Sequence, residues 1–290
     1  MNNDNTYNSI STTPSAFGTR EFLESNSLIA KIAFLLLVVF FFVILLRIGV
    51  SIMAYFFKPN ESPRLIDGMV DASQMIVFPQ DPKSAGAVTV YRSVNATDGI
   101  EFTWSVWIYI NNLNNNAQTY KHIFSKGNSA LKDTGMVQPN NAPGLYIAPN
   151  TNTLVVVMNT FDVINEEILV PDIPLNKWVN VIIRCQNTTL DVYVNGTIAR
   201  SVDLVGIPKQ NYGDVFVAMN GGFDGYVSNL WYYNYALGTA AIQKLTTNGP
   251  NTKMVGSNGM DDKIFDYLSL RWFFYGAGDS FNPTGHGGGM

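Results

Sequence analysis

Carboxylates, thiols and imidazoles are the groups through which this 290-residue chain could do chemistry, and few of them fall in a useful pattern. Retaining glycoside hydrolysis needs two carboxyl groups about 5–5.5 Å apart, often as an E-x-D-x-x-E run along one strand, where alternate residues share a face. No such spacing occurs. Beyond residue 61 the only glutamates are Glu101, Glu166 and Glu167; the last two are adjacent, so a strand points them to opposite faces, and Glu101 stands alone. His122 falls at a strand start and His286 in a glycine-rich tail, neither beside a nucleophile. The single cysteine, Cys185, continues an apolar run from Trp178, where a small core residue is the expectation and a thiolate nucleophile the rival reading. No zinc spacing, phosphate-binding loop or dinucleotide fingerprint is present. These residues predict a protein that is not an enzyme and carries no cofactor.

The elements that must position any site start with an apolar run. Residues 28–46 hold nineteen positions with Lys31 as the only charge. As a helix the run covers about 28 Å, close to the ~30 Å hydrocarbon core of a bilayer. Leu28, Phe34, Phe40 and Leu46 would face lipid, while Lys31 snorkels from the first turn. Arg47 would cost about 2.5–3.5 kcal/mol at mid-bilayer, so the span is expected to end near Leu46 with Arg47 at the interface. A stalk would follow to residue 57, with Tyr55, Phe56 and Phe57 as an aromatic belt. A cleaved signal peptide has a shorter apolar stretch, a basic start and a small-residue cleavage site. A retained single transmembrane helix fits better.

The net charge of −4, with 14% charged residues, gives no basic field for nucleic acid. The basic flank Arg47, Lys58 and Arg64 and the lone cysteine favour a cytosolic C-terminal part. Four sequons at Asn60, Asn95, Asn187 and Asn195 point the other way, although an Asn-rich chain produces them by chance. The expected organisation is a disordered polar head (1–27), anchor and stalk (28–57), a Pro-marked connector (58–84), a globular domain (85–247) and a Gly/Asn-rich tail (248–290).

From residue 87 onward, short β-branched and aromatic runs alternate with Asn, Gly and Pro, the pattern of an all-β antiparallel sandwich of about ten strands. Ala87–Tyr91 reads as the first. Next, Phe102, Trp104, Val106, Ile108 and Ile110 alternate onto one face. Asn195-Gly196 between Leu190–Val194 and Thr197–Leu204 is a two-residue hairpin signal. Phe223, Tyr226 and Leu230 are expected to bury against the opposing sheet, with Gly225 allowing close backbone approach.

Four ordered pieces resemble laminin G-like, concanavalin A-like jelly-roll domains. Phe102–Trp107, with Trp104 and Trp107, is similar to the first core strand. Ile123–Gly127 is similar to an "ilskg" strand end. Trp178–Val181 followed by Leu190–Gly196, with Tyr193, Asn195 and Gly196, is similar to the central hairpin. Phe223–Leu237, with Phe223, Gly225, Tyr226 and Leu237, is similar to the closing strand. The resemblance implies a jelly roll and the chance of Ca²⁺ or sugar at the rim loops. Candidates for Ca²⁺ are Asp133, Asp203, Asp214 and Asp224, with solvated loop acids as the plainer reading. Trp231-Tyr232-Tyr233 with Asn234 could hold a sugar or simply fill the core. In the tail, Ile264, Tyr267, Leu268, Trp272 and Tyr275 follow helical spacing within 261–275. Phe265, Leu268, Trp272 and Phe274 would either pack back on the sandwich or dock onto a partner.

The layout also resembles membrane-associated proteins of large nucleocytoplasmic DNA viruses. That implies a structural minor capsid protein, anchored in the virion inner membrane, whose domain meets capsid or other scaffold proteins on the cytosol-derived side. A membrane-anchored, lectin-like glycan-binding module is the alternative.

Overall fold

The computed structural model describes residues 28–56, 60–96 and 98–255. The expected head and the aromatic block 261–275, with Phe265, Leu268, Trp272 and Phe274, lie outside the described residues. The chain divides into two units at Pro59–Asn60.

The first unit contributes helix α1, Leu28–Phe56, none of whose side chains is buried. It is long and apolar enough to cross a bilayer. Its 29 residues run on through Arg47, so Ile48–Phe56 continues the helix and the whole spans about 43 Å.

The second unit is a sandwich. Its strands are β1 (Met69–Asp71), β2 (Ile76–Phe78), β3 (Val94–Ala96), β4 (Gly99–Asn112) and β5 (Lys121–Gly127). There follow β6 (Ala130–Leu131), β7 (Val137–Gln138), β8 (Asn141–Ile147), β9 (Leu154–Met158) and β10 (Glu166–Val170). The last five are β11 (Trp178–Asn187), β12 (Thr189–Val194), β13 (Thr197–Asp203), β14 (Asp214–Val217) and β15 (Asp224–Tyr233). One sheet orders β1-β15-β4-β11-β12-β13, with β3 added on β4; the other orders β10-β9-β8-β5-β14-β2; β6 and β7 pair separately. Pairing between these strands is antiparallel, as short loops without crossover helices require.

The alternating face of β4 fills the core as expected: Phe102, Trp104, Val106, Ile108 and Ile110 are all buried in one cluster with β11, β12 and β15 residues. Trp104 is its pivot, 4.8 Å from the Tyr232 ring and 5.2 Å from Phe124. Asn195 and Gly196 adopt φ of 51° and 79°, the left-handed pair that a tight hairpin demands. Gly225 has φ of 155°, and a Cβ there would lie 1.9 Å from the Tyr109 carbonyl oxygen, so β15 can pass β4 at that point only as glycine.

Three expectations need correction. Residues 69–78, read as connector, supply β1 and β2. Ala87–Tyr91 forms no strand: Val90 donates its N–H to Gln80 Oε1 (2.7 Å), and Gln80 Nε2 donates to the carbonyls of Val88 (2.9 Å) and Phe78 (3.1 Å). One side-chain amide replaces the missing strand partner. Tyr226 does not enter the core; Val227 does. A register shift between Ser228 and Trp231, with Asn229 at φ of 50°, then restores Leu230 and Tyr232 to the inner face.

A helix that the sequence reading lacked, α2 (Thr239–Asn248), covers part of the outer face of the β4 sheet. Ile242 and Leu245 pack there against Ile182, Tyr193, Tyr233 and Leu237.

Candidate functional site

The residues of the family-like motif part company in three dimensions. Trp104 and Phe223 lie in the core between the sheets. Tyr193 and Leu237 are buried outside it, in the cluster under α2. Trp107, also on the outer face, helps line a cleft of about 300 Å³ with Arg64, Trp231 and Asn251. Trp178 and Tyr226 remain half-buried on the outer face.

That last pair belongs to a row of aromatics that leads to a polar cleft. Cross-strand register places Trp178 opposite Tyr109, Tyr109 opposite Tyr226, and Tyr226 opposite Asp71. The ring centroids of Tyr109 lie 5.5 Å from Trp178 and 6.3 Å from Tyr226. Three half-buried aromatics therefore form a row across β11, β4 and β15. At its end opens a cleft of about 300 Å³ lined by Asp71, Ser73, Asn111, Asn115, Asp224 and Tyr226.

Backbone geometry builds the walls of this cleft. Asp71 Oδ1 accepts from both the N–H (2.8 Å) and the hydroxyl (2.7 Å) of Ser73, turning the chain just beyond β1. Asp224 accepts from Asn111 Nδ2 at 2.7 Å and from Asn112 Nδ2. Asn115 and Asn116 donate to the carbonyls of Gly221 and Asn220. The turn they hold contains Ala218 and Asn220 in left-handed conformations. Met219 of that turn donates its N–H to His122 Nδ1 (3.2 Å). His122 is fully buried, with Nε2 2.8 Å from Ser125 Oγ, and burial pushes its pKa down to about 3. A neutral, acceptor-bearing imidazole thus supports the wall from beneath.

Chemically, an aromatic row beside acid, amide and hydroxyl groups offers flat apolar faces together with donors and acceptors. It suits a polyhydroxylated chain whose rings carry apolar C–H faces and polar rims.

The other expected sites resolve differently. Tyr232 is buried against Trp104, and Tyr233 is buried under α2. Trp231 is flanked by the Arg64 guanidinium at 5.2 Å and by the Tyr233 ring at 5.5 Å. Of the Trp231–Tyr233 run, Tyr232 and Tyr233 are thus packed away, and only Trp231 keeps an edge on the cleft it shares with Arg64 and Trp107. The four aspartates do not converge: Asp133 is exposed between β6 and β7, Asp203 accepts from the Thr189 hydroxyl (2.7 Å), Asp214 from the Gln80 N–H (2.8 Å), and only Asp224 reaches the cleft. Among the described residues no three His, Cys, Asp or Glu side chains gather as a metal site. Cys185 is a buried core residue whose thiol burial pushes up to about 12.

No curated protein matches the chain in sequence. Among solved structures, it is similar to the receptor binding domain of botulinum neurotoxin C/D mosaic serotype, at 15% identity and a TM-score of 0.41, over 51% of this chain and 36% of that one. It is also similar to the botulinum neurotoxin serotype D ligand binding domain in complex with N-acetylneuraminic acid, at 13% identity and a TM-score of 0.42, over 61% and 47%. The chain thus spans less than half the length of these two structures, and what they bind is a property of those proteins. Residues 82–243 match the family model of the concanavalin A-like lectin/glucanases superfamily. Covering more than half of the sequence and every principal strand from β3 to β15, that match makes this chain a member of the superfamily.

Proposed function

We propose that the protein is a membrane-tethered, non-enzymatic binding module that grips a glycan chain along the Asp71–Tyr226–Tyr109–Trp178 strip. The observation that carries this reading is the half-buried aromatic row running straight into an acid- and amide-lined cleft. Sugar rings stack on Tyr226, Tyr109 and Trp178, while Asp71, Asn111 and Asn115 take the hydroxyls. Helix α1 is the retained anchor rather than a cleaved signal sequence, since its apolar stretch is longer than a signal's.

A glycan array probed with the full chain in nanodiscs tests the proposal. Binding that Tyr109→Ala weakens at least tenfold, with thermal stability retained, supports it. Binding unaffected by Tyr109→Ala and Trp178→Ala, or release of reducing sugar from a bound glycan, rejects it.

A second reading assigns the same anchored module to a virion, as a minor capsid protein joining the inner membrane to the shell. What supports it is the layout of one apolar helix, long enough to span a bilayer, ahead of one jelly-roll domain. Finding the protein in purified particles supports this placement; finding it only on cell surfaces overturns it.

A further inference from the structure

We infer that the strip is charge-selective: it takes sugar chains that present hydroxyl or amino hydrogens and carry no acid group, and Asp71 enforces the choice. This deepens the glycan reading above and rests on it.

The inference comes from the donors and acceptors of the cleft. Its lining holds two carboxylates, Asp71 and Asp224, and among the described residues no lysine, arginine or histidine. The donors there are already committed. Ser73 has one hydroxyl proton, and it goes to Asp71 Oδ1 (2.7 Å), which also takes the Ser73 N–H (2.8 Å). Asn111 Nδ2 donates to Asp224 Oδ1 (2.7 Å), and Asn115 Nδ2 to the Gly221 carbonyl (3.2 Å). Asn112 turns its amide onto Asp224 Oδ2. Asp224 is thereby held as a wall, with both oxygens engaged.

The groups left over are acceptors. The hydrogen bonds of Asp71 fall on Oδ1, so Oδ2 keeps its lone pairs for a ligand. The side-chain carbonyls of Asn111 and Asn115 also accept, fixed in place by their own amides. A hydroxyl or ammonium group finds partners here. A carboxylate or sulfate only accepts, and it meets two like charges in a half-buried site, where repulsion is stronger than in open water.

The surrounding charges do not reverse this. Lys253 is exposed, and its carbonyl accepts the Met69 N–H (2.8 Å), two residues along β1 from Asp71. It sets one positive charge at the rim against two negative ones within. Arg64 is paired with Asp67 at 2.8 Å. Lys177, next to Trp178, stands three strand spacings, about 14 Å, from Asp71. That exceeds the ~8 Å over which charges act at physiological ionic strength. The aromatic row is uncharged and grips apolar sugar faces whatever their substituents. Choice therefore lies at the cleft end, and Asp71 is the carboxylate there with an oxygen to offer.

The test sets neutral glycans on an array beside sulfated and uronate counterparts of the same backbone. The probe is the full chain in phosphatidylcholine nanodiscs. At low salt, neutral glycans should bind at least tenfold more strongly than their acidic counterparts. Raising salt to about 0.5 M should narrow that gap at least threefold, because screening weakens repulsion and leaves neutral contacts in place. Asp71→Asn keeps the shape and an acceptor for Ser73 while removing the charge. Neutral glycans should then bind less and acidic ones more, whereas a merely structural Asp71 would lower both together. Acidic glycans bound as tightly as neutral ones, a gap that salt leaves unchanged, or a parallel fall of both in folded Asp71→Asn overturns the inference and leaves the glycan reading standing. The salt series uses the unaltered chain, so it decides even where the variant fails to fold. An array that retains no glycan removes the reading itself, and the inference with it.

Discussion

The two ends of the sandwich share one core and differ in almost every surface property. Around the N-terminal end of β15, the side chains are acids, amides and half-buried aromatics, the amides hydrogen-bonded to Asp224 or to backbone carbonyls. At its C-terminal end, aliphatic and aromatic tips project from braced loops into solvent. The strands between them turn aliphatic and aromatic side chains alike into one shared core. What distinguishes the ends is loop chemistry: left-handed Asn and Gly positions aim polar groups inward at one, and carboxylate-capped turns aim apolar groups outward at the other. A fold held by its core leaves both rims free to specialise.

Gly225→Ala should break the comparison most severely, because it removes the cleft's floor. The new methyl meets the Tyr109 carbonyl at 1.9 Å in a backbone conformation that L side chains avoid. We expect a loss of about 3 kcal/mol or more in unfolding free energy. Chemical denaturation of the variant measures it, and a loss under 1 kcal/mol would show that β15 and β4 can separate there at little cost.

Acid should weaken the polar end next. His122 titrates near 6.5 when unfolded and near 3 when folded, so below pH 6.5 the unfolded chain binds the extra proton. Its contribution is present at pH 7 and falls by about 1.4 kcal/mol per pH unit through that window. Protonation also removes the Nδ1 acceptor of the Met219 N–H, so the wall of the cleft is the local casualty. His122→Asn, which cannot titrate, should flatten the decline in denaturation midpoint between pH 6.5 and 4.5. An identical decline in both proteins would assign the acid response to the carboxylates.

Why the sequence disclosed one of these ends better than neither, yet only in part, follows from how each is assembled. Strand β4 was legible because every second residue from Phe102 to Ile110 is large and apolar, and the β12–β13 turn because Asn-Gly has few other uses. Strands β1 and β2 hold three residues each, too few for a period to emerge. Tyr226 was misdirected because parity counted back from Leu230 ignores the register shift after Ser228. Of the cleft, Asp224 was a visible candidate and Tyr226 and Trp178 were visible as framework residues. Asp71, Ser73, Tyr109 and Asn111 gave no sign, since register alone brings β1 to β15, more than 150 positions later. The apolar tips were equally silent: Phe161 and Ile207 read like core residues until their exposure is known.

Gln80→Ala probes the apolar end from within. Its side chain supplies three hydrogen bonds that stand in for a strand beside residues 78–90. Truncation should cost about 1–3 kcal/mol, through unsatisfied groups on Val88 and Val90. Hydrogen exchange should accelerate at Val90 while the cleft residues near β1 stay protected, which separates the two ends dynamically.

The smallest effect is the most discriminating. Ile207→Ser removes a large apolar side chain, yet the residue is half exposed and lies outside every buried cluster. If the tips serve contact rather than folding, the unfolding free energy should move by less than about 0.5 kcal/mol. A buried isoleucine would give several times that, from lost transfer and a cavity. A measured loss above 1 kcal/mol would mean that Ile207 is structural packing, and the contrast between the polar and the apolar end would then reduce to ordinary differences in burial. A near-zero loss leaves an apolar side chain that folding does not require, held outward by a braced loop.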